Sequence, residues 1–266
     1  MHRLALLFAF GLCALFATSA YAQEQSEGDL ANKLSNPVSD LISVPFQFNW
    51  DCCAGPKDGD RITLNIQPVV PFHLNENWNL IMRTILPVVD QQETFAGQGD
   101  HFGLGDTTQS FFFSPNPAPG GIIWGVGPAF LWPTGTDSTV GSGKWGLGPT
   151  LVALKQSHGW TYGILANHIW SYGGQRDRAN ISNTFLQPFV GYTWPDTTGI
   201  TFNTENTYDW ERDHWTVPLN LMVSHIYKFG SQPISFQLGA RYYASTAAPD
   251  GARWGARFAV VFLFPG

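Results

Sequence analysis

The chain has 266 residues, of which only 13% are charged, whereas an ordinary soluble domain carries about 25%. Aromatic residues make up 15% of the chain and there are 28 glycines, a combination that favours pleated sheet over helical packing. The formal net charge is −6 and no basic run is present that could neutralise a phosphate backbone, so we expect no nucleic acid partner.

The first 22 residues have the layout of a secretory signal peptide. Arg3 supplies the positive charge, residues 4–17 form a continuous apolar run, and residues 20–22 (Ala-Tyr-Ala) match a cleavage site. We therefore predict that the protein is exported and that its mature chain begins at Gln23.

Signal peptide removal leaves two cysteines, Cys52 and Cys53, which are adjacent in the sequence. Their Cα atoms are about 3.8 Å apart across one peptide bond, below the usual minimum of about 4.4 Å for a disulfide. The sequence therefore leaves two states open, a strained vicinal disulfide and two free thiols.

Residues 23–40 do not alternate between apolar and polar positions. Leu30, Leu34 and Val38 follow a helix-like spacing, which predicts a short helix in a periplasmic N-terminal segment. Such a segment can enter a barrel as a plug or rest on its rim as a tail, and we favour the tail because chain ends are commonly loosely attached.

Residues 41–266 are predicted to form one barrel domain, because apolar and polar residues alternate along them. Between Ile42 and Asp51 every even position is apolar, and none of the odd positions carries a large apolar side chain. The predicted fold class is all-β, an antiparallel up-and-down barrel of about twelve strands. The predicted strands are 42–51, 61–71, 78–88, 105–113, 121–132, 145–155, 160–170, 184–194, 200–210, 215–229, 234–244 and 254–264.

The tryptophans indicate that this barrel spans a membrane. In an up-and-down barrel, seven of them fall at strand ends on one rim: Trp50, Trp132, Trp145, Trp170, Trp210, Trp215 and Trp254. The other four fall on the opposite rim: Trp78, Trp124, Trp160 and Trp194. Indole rings prefer the membrane–water boundary, so two such girdles are typical of a transmembrane barrel and not of a soluble sandwich.

Connection lengths alternate as they do in outer-membrane barrels, which have short periplasmic turns and longer outer loops. The long connections are 52–60, 90–104, 133–144, 171–183 and 245–253, and the short ones are 73–77, 156–159, 195–199 and 230–233. Two connections break the pattern, 211–214 and 115–120.

An even strand count puts both termini in the periplasm. We predict a location in the outer membrane of a Gram-negative cell, with membrane lipid and the barrel-assembly machinery as partners.

The inward face is expected to carry the function, because outward residues contact only lipid. Alternation predicts a pathway for a small-molecule permeant that is lined by Arg83, Glu205, Asp209, Asn220, Gln237, Arg241 and Arg257. We expect the two carboxylates among them to pair with the three arginines. Such pairs can form a constriction that orients a charged permeant, or they can fill and rigidify the barrel, since buried charges must be paired.

An enzyme is not expected from the spacing of candidate catalytic residues. His168 and Ser171 are three positions apart and Ser224 and His225 are adjacent, so neither pair shares a face of a regular strand. The histidines show no metal-ligand spacing on one strand, and the glycine-rich segment 141–146 precedes a strand and not a helix. We therefore predict no catalytic, metal or cofactor site.

Several segments resemble the bacterial outer-membrane transporters labelled as belonging to the meta-pathway of phenol degradation. These segments are LANKLSNPVSDLISVPFQFN (30–49), LNIQPVVPF (64–72), GLGDTTQSFFFSP (103–115), LANHIWS (165–171), TENTYDW (204–210) and LGARYY (238–243). The resemblance covers nearly the whole mature chain and implies a barrel that admits small, often aromatic or hydrophobic, compounds. One departure is that Phe264 is followed by Pro265 and Gly266, whereas such barrels commonly end on the aromatic residue that the assembly machinery recognises.

The predicted function is thus passive uptake of small molecules through an outer-membrane channel. Two alternatives of a different class are a structural or adhesion barrel with a filled lumen and an outer-membrane enzyme that modifies lipid. Conductance separates the channel from the filled barrel.

Overall fold

A computed structural model describes residues 27–93, 97, 99–117, 120–246 and 251–264. The predicted signal peptide, the start of the mature chain and the final residues 265–266 lie outside these ranges. Within the described ranges, no helix has the length and apolar character needed to cross a bilayer.

The described residues form one short helix and fifteen strand segments. In chain order the elements are α1 (Glu27–Leu34), β1 (Ile42–Ala54), β2 (Gly59–Ile66), β3 (Val69–His73), β4 (Trp78–Gln91), β5 (His101–Leu104), β6 (Thr107–Pro115), β7 (Ile123–Trp132), β8 (Lys144–Ser157), β9 (Trp160–Gly174), β10 (Ser182–Thr193), β11 (Gly199–Thr204), β12 (Asn206–Asp209), β13 (His214–Phe229), β14 (Gln232–Ser245) and β15 (Trp254–Phe264).

The segments make a closed antiparallel barrel in which each strand pairs with its neighbours in sequence and β1 pairs with β15. In three places, two consecutive segments together form one strand of the barrel: β2 with β3, β5 with β6, and β11 with β12. The barrel therefore has twelve strands, and the predicted fold class is confirmed. We call the end with the long connections the outer end and the other the periplasmic end.

Outward side chains form an apolar surface bounded by aromatic rings. At the periplasmic end the rings of Trp78 and Trp124 are 5.9 Å apart, and at the outer end those of Tyr242 and Trp254 are 4.6 Å apart. Ring contacts of this kind tie neighbouring strands together at the two levels where indole and phenol groups meet both lipid and water. The predicted aromatic girdles are confirmed.

Several strands are longer at the outer end than predicted. β1 continues to Ala54, so most of the expected loop 52–60 is a tight hairpin in which Cys53 has a positive φ of 66°. Both cysteines are free thiols, Cys52 buried and Cys53 exposed. β9 likewise continues to Gly174, so part of the expected loop 171–183 is paired strand.

Helix α1 lies within the periplasmic mouth of the barrel and not on its rim. Its buried residues Leu30 and Ala31 pack against the inward side chains of Ile226, Val261 and Leu263. A hydrogen bond of 3.0 Å between Ser35 Oγ and Thr161 Oγ1 fixes the end of the helix to the opposite wall. The chain then continues to Val38, which is buried in a second apolar cluster made by strands β4, β6, β8 and β9.

A glycine and proline motif is repeated on the neighbouring strands β7 and β8. The sequence WGVGP at 124–128 is repeated as WGLGP at 145–149, and the two motifs lie side by side with Pro128 opposite Pro149. Neither proline can donate a ladder hydrogen bond, and the β6–β7 register has no pairs between Ser110 and Phe113. The inward glycines leave room for neighbouring backbone, since a Cβ atom at Gly127 would lie 1.9 Å from the carbonyl oxygen of Phe111 and one at Gly148 1.7 Å from that of His168.

Candidate permeation pathway

The register of the barrel brings charged side chains from distant parts of the sequence to one level of the lumen. Arg257 on β15 lies opposite Asn49 on β1, and Arg241 on β14 lies opposite Asn220 on β13. All four point inward because they occupy the same alternating face as the buried positions around them.

An ion pair between the half-buried Glu205 and the buried Arg257 bridges the inner wall of the barrel across β13 and β14. Arg257 donates from Nη1 to Oε1 and from Nη2 to Oε2 of Glu205, both at 2.8 Å. Its Nε donates to Asn49 Oδ1 at 2.7 Å, and only 3% of the arginine is exposed. This two-pronged geometry is the strongest form of an arginine–carboxylate contact, so the pair acts as a fixed strut between β15 and the junction of β11 and β12.

Arg241 is far less well satisfied than Arg257. Its shortest contact is a 3.0 Å hydrogen bond from Nη2 to Tyr243 Oη, and its Nε has no partner. Its contacts with carboxylates are longer, 3.5 Å from Nη1 to Asp51 Oδ1 and 3.8 Å from Nη2 to Glu205 Oε2. The arginine is nevertheless only 7% exposed.

Arg83 lies closer to the periplasmic end and has a neutral partner. Its Nη2 donates to Gln67 Oε1 at 2.8 Å. The ion pairs formed by described residues do not include Arg83. The expected ion pair between Arg83 and one of the two carboxylates is therefore not formed.

Asp209 is placed at the outer end, away from the lumen arginines. Its carboxylate accepts hydrogen bonds from the backbone N–H groups of Glu211 and Arg212 and pairs with the Arg212 guanidinium at 2.7 Å. Because Asp209 is the last residue of β12, its short side chain caps the following turn. The expected pairing of Asp209 with Arg83, Arg241 or Arg257 is thus not formed.

Asn220 and Gln237 complete the predicted set. Asn220 is fully buried and donates to Asn203 Oδ1 at 2.8 Å, while its own Oδ1 has no partner. Gln237 faces a cavity on the periplasmic side of the charged level. Both side chains are inward, as alternation predicts.

Two cavities lie inside the barrel. The outer cavity has a volume of about 450 Å³, and its polar lining includes Asp51, Arg61, Glu205, Arg241, Tyr243 and Arg257. The inner cavity has a volume of about 250 Å³ and is lined by Gln67, Arg83, Gln237 and the segment that follows α1. The lumen therefore contains space on both sides of the charged level.

Sequence reasoning missed Arg61, Asp51 and Tyr243 as lumen residues. Asp51 and Arg61 face each other across β1 and β2, and each continues a polar face that the alternation marks as inward. The alternation rule that identified Arg83 as inward also identifies these two residues if it is applied up to the ends of the strands. Tyr243 has the same signal, because it lies two positions after Arg241 on β14, although tyrosine is also common in the outward girdles.

Side chains also hold the loops of the outer end together. Arg178 donates from Nε to the carbonyl oxygen of Ser142 at 3.2 Å, and Asp106 accepts from the backbone N–H of Ser142 at 2.6 Å. The backbone N–H of Thr139 donates to Asp137 and holds the pKa of this carboxyl below its usual value. The loop 133–143 is thus fixed to its neighbours.

Among the described residues, no group of three or more His, Cys, Asp or Glu could hold a metal ion.

No model of a known protein family matches the chain, and no curated protein matches it in sequence. Among solved structures, the barrel is similar to the COG4313 outer membrane channel from Pseudomonas putida F1, with a TM-score of 0.65 and 15% identity over 84% of this chain and 94% of that chain. At this identity the likeness concerns the fold. The resemblance to transporters of the phenol meta-pathway stays a prediction.

The barrel is also similar to outer membrane phospholipase A from Escherichia coli, with a TM-score of 0.46 and 13% identity over 90% of this chain and 98% of that chain. The expectation that the chain is not an enzyme is therefore wrong, because barrels of this kind include an enzyme. A likeness this weak assigns no activity to the chain. The spacing argument treated each strand separately, whereas a closed sheet joins residues across strands. His168 Nδ1, for example, lies 2.7 Å from Thr184 Oγ1 on the neighbouring strand.

The closed antiparallel sheet, its two aromatic girdles and its likeness to a solved outer-membrane channel agree on one architecture. The inward charges and the two cavities lie at the centre of that architecture. The chain is a twelve-stranded transmembrane β-barrel of the outer-membrane type.

Proposed function

We propose that this protein is an outer-membrane channel for the passive entry of small molecules into the periplasm. The observation that carries the proposal is the pair of cavities of about 450 and 250 Å³ on either side of the charged level. A barrel that served only as a scaffold would gain stability by filling this space with side chains.

The size of the pathway limits what can pass. A closed cylinder of twelve strands has a backbone radius of about 12 Å, and inward side chains reduce the free space further. The outer cavity has the volume of a site for a ligand of one or two rings. Small aromatic or hydrophobic molecules, which the phenol-pathway resemblance implies, are therefore the permeants we propose.

The N-terminal segment restricts the pathway at the periplasmic end. Most of residues 31–41 line the inner cavity, and Leu30 and Val38 are each buried in an apolar cluster. We propose that this segment is a plug, and that it must shift or loosen for a permeant to leave the barrel. Export through the predicted signal peptide and insertion by the assembly machinery would place this end in the periplasm.

Liposome swelling and planar-bilayer recordings with the purified protein test the channel. We expect discrete conductance steps and swelling with small sugars, and no swelling with a trisaccharide. A folded protein that gives neither conductance nor swelling would favour the structural barrel with a filled lumen and overturn the proposal. Heat-modifiable gel mobility checks that the barrel is folded in each preparation.

A further inference from the structure

The outer cavity has an excess of positive charge in a chain that is acidic overall. The formal charge of the whole chain is −6. The described residues that line this cavity nevertheless include three arginines and only two carboxylates: Arg61, Arg241, Arg257, Asp51 and Glu205. With all five ionised, these groups give the lining a net charge of +1.

Arg241 is the less well compensated of the two buried arginines in this lining, and its nearest carboxylate oxygen is Asp51 Oδ1, 3.5 Å from Nη1. Glu205 is committed to Arg257 by two hydrogen bonds of 2.8 Å, so it is a weak partner for Arg241 at 3.8 Å. A guanidinium group has five N–H donors, and the Nε donor of Arg241 has no acceptor although only 7% of the residue is exposed. A buried arginine in this condition is costly, and an anion that met it would remove the cost.

We propose that the outer cavity binds the carboxylate group of a small organic acid, with Arg241 as the main contact and Arg61 as a second cation. The inference rests on the proposed channel function and names its substrate class. A planar guanidinium matches a carboxylate group in shape and charge. The ring of Tyr243, which lies 5.4 Å from the Arg241 guanidinium carbon, offers an aromatic surface beside the site.

The charge balance favours a monoanion. One carboxylate neutralises a lining of +1, whereas a doubly charged phosphate would leave a net negative charge in a confined space. A further cation lies on the periplasmic side of this site, because Arg83 lines the inner cavity and donates a hydrogen bond to the neutral Gln67. An acid that moved inward from Arg241 would therefore meet a second arginine.

Calorimetry on the detergent-solubilised full chain tests the site without requiring transport. We expect benzoate to bind, and benzyl alcohol and inorganic phosphate to bind at least about tenfold more weakly, a difference of one decade in Kd. Arg241→Gln should weaken benzoate binding by at least the same factor. The matched control is Arg176→Gln, which removes the same charge from an exposed position in an outer loop.

The outcomes separate this inference from the channel itself. Equal binding of benzoate and benzyl alcohol, or unchanged benzoate binding in Arg241→Gln, would overturn the inference even if the protein conducts. Benzoate binding without any conductance would support the site and overturn the channel. If Arg241→Gln does not fold, Arg241→Lys retains the charge and loses the planar donors. Benzoate affinity that is unchanged in Arg241→Lys and in Arg61→Gln would then overturn the inference.

Discussion

Glu205 is the residue whose replacement should have the largest effect on this lumen. It is the carboxylate partner of Arg257 and the more distant of two carboxylates near Arg241. Removing one member of a buried pair leaves the other uncompensated, which typically costs about 3–5 kcal/mol. We therefore expect Glu205→Gln to lower the unfolding temperature of the barrel clearly, as measured by the temperature at which its gel mobility changes.

The same substitution should also change the current through the channel. Glu205→Gln removes one negative charge from the charged level, so the reversal potential in a salt gradient should move toward that of chloride. Asp209→Asn is the matched control, because its carboxylate pairs with the exposed Arg212 and such surface pairs contribute about 0–1 kcal/mol. A Glu205→Gln barrel with unchanged stability and selectivity would mean that the pair is neither a strut nor a filter.

At the scale of elements, helix α1 is held by apolar contacts that one charge can break. Leu30 is 3% exposed and packs on Ile226 and Leu263. Leu30→Asp would bury an unpaired carboxylate there, so we expect the helix to leave the mouth and the conductance to rise several-fold. Single-channel recording measures the change, and Glu27→Gln at the exposed start of the helix is the control. Unchanged conductance in a folded Leu30→Asp barrel would mean that α1 does not restrict the pathway.

The close packing of β7 against β6 gives a second prediction at this scale. A Cβ atom at Gly127 would lie 1.9 Å from the carbonyl oxygen of Phe111, so the wall must move to accept even alanine. We expect Gly127→Ala to destabilise the barrel by about 1–3 kcal/mol, measured by urea-induced unfolding in lipid vesicles. Gly173→Ala is the matched control, since a Cβ there meets nothing within 4 Å. Equal stability of the two variants would contradict the close packing of β7 against β6.

For the whole molecule, the topology in the membrane can be tested by proteolysis of intact cells. Arg176 is exposed in the connection between β9 and β10 at the outer end, so trypsin should cut there. Arg178 should be protected by its hydrogen bonds to the neighbouring loop. Lys155 lies near the periplasmic end of β8, and its cleavage in intact cells would mean that the barrel has the opposite orientation.

The architecture was accessible from the sequence for two reasons. Side chains of a barrel strand alternate between the lumen and the lipid, and the aromatic girdles lie at the ends of the strands. Those two rules gave the strand count and the inward side of Arg83, Arg241 and Arg257. Pairing of Glu205 with a lumen arginine was expected, but which carboxylate meets which arginine was not accessible, because it depends on the register of many strands together. Asp209 was therefore expected among the arginines, although its position at the end of β12 turns it toward Arg212.

The position of α1 has a consequence for the order of folding. The helix is the first described element of the chain, yet its binding site includes Val261 and Leu263 on β15, the last strand. That site is complete only when β15 has joined β1 and the sheet has closed. Contacts between residues so far apart in sequence form late, since their loop-closure entropy must be compensated first. The helix that precedes every described strand is thus among the last elements to reach its native contacts, which form only after the sheet has closed.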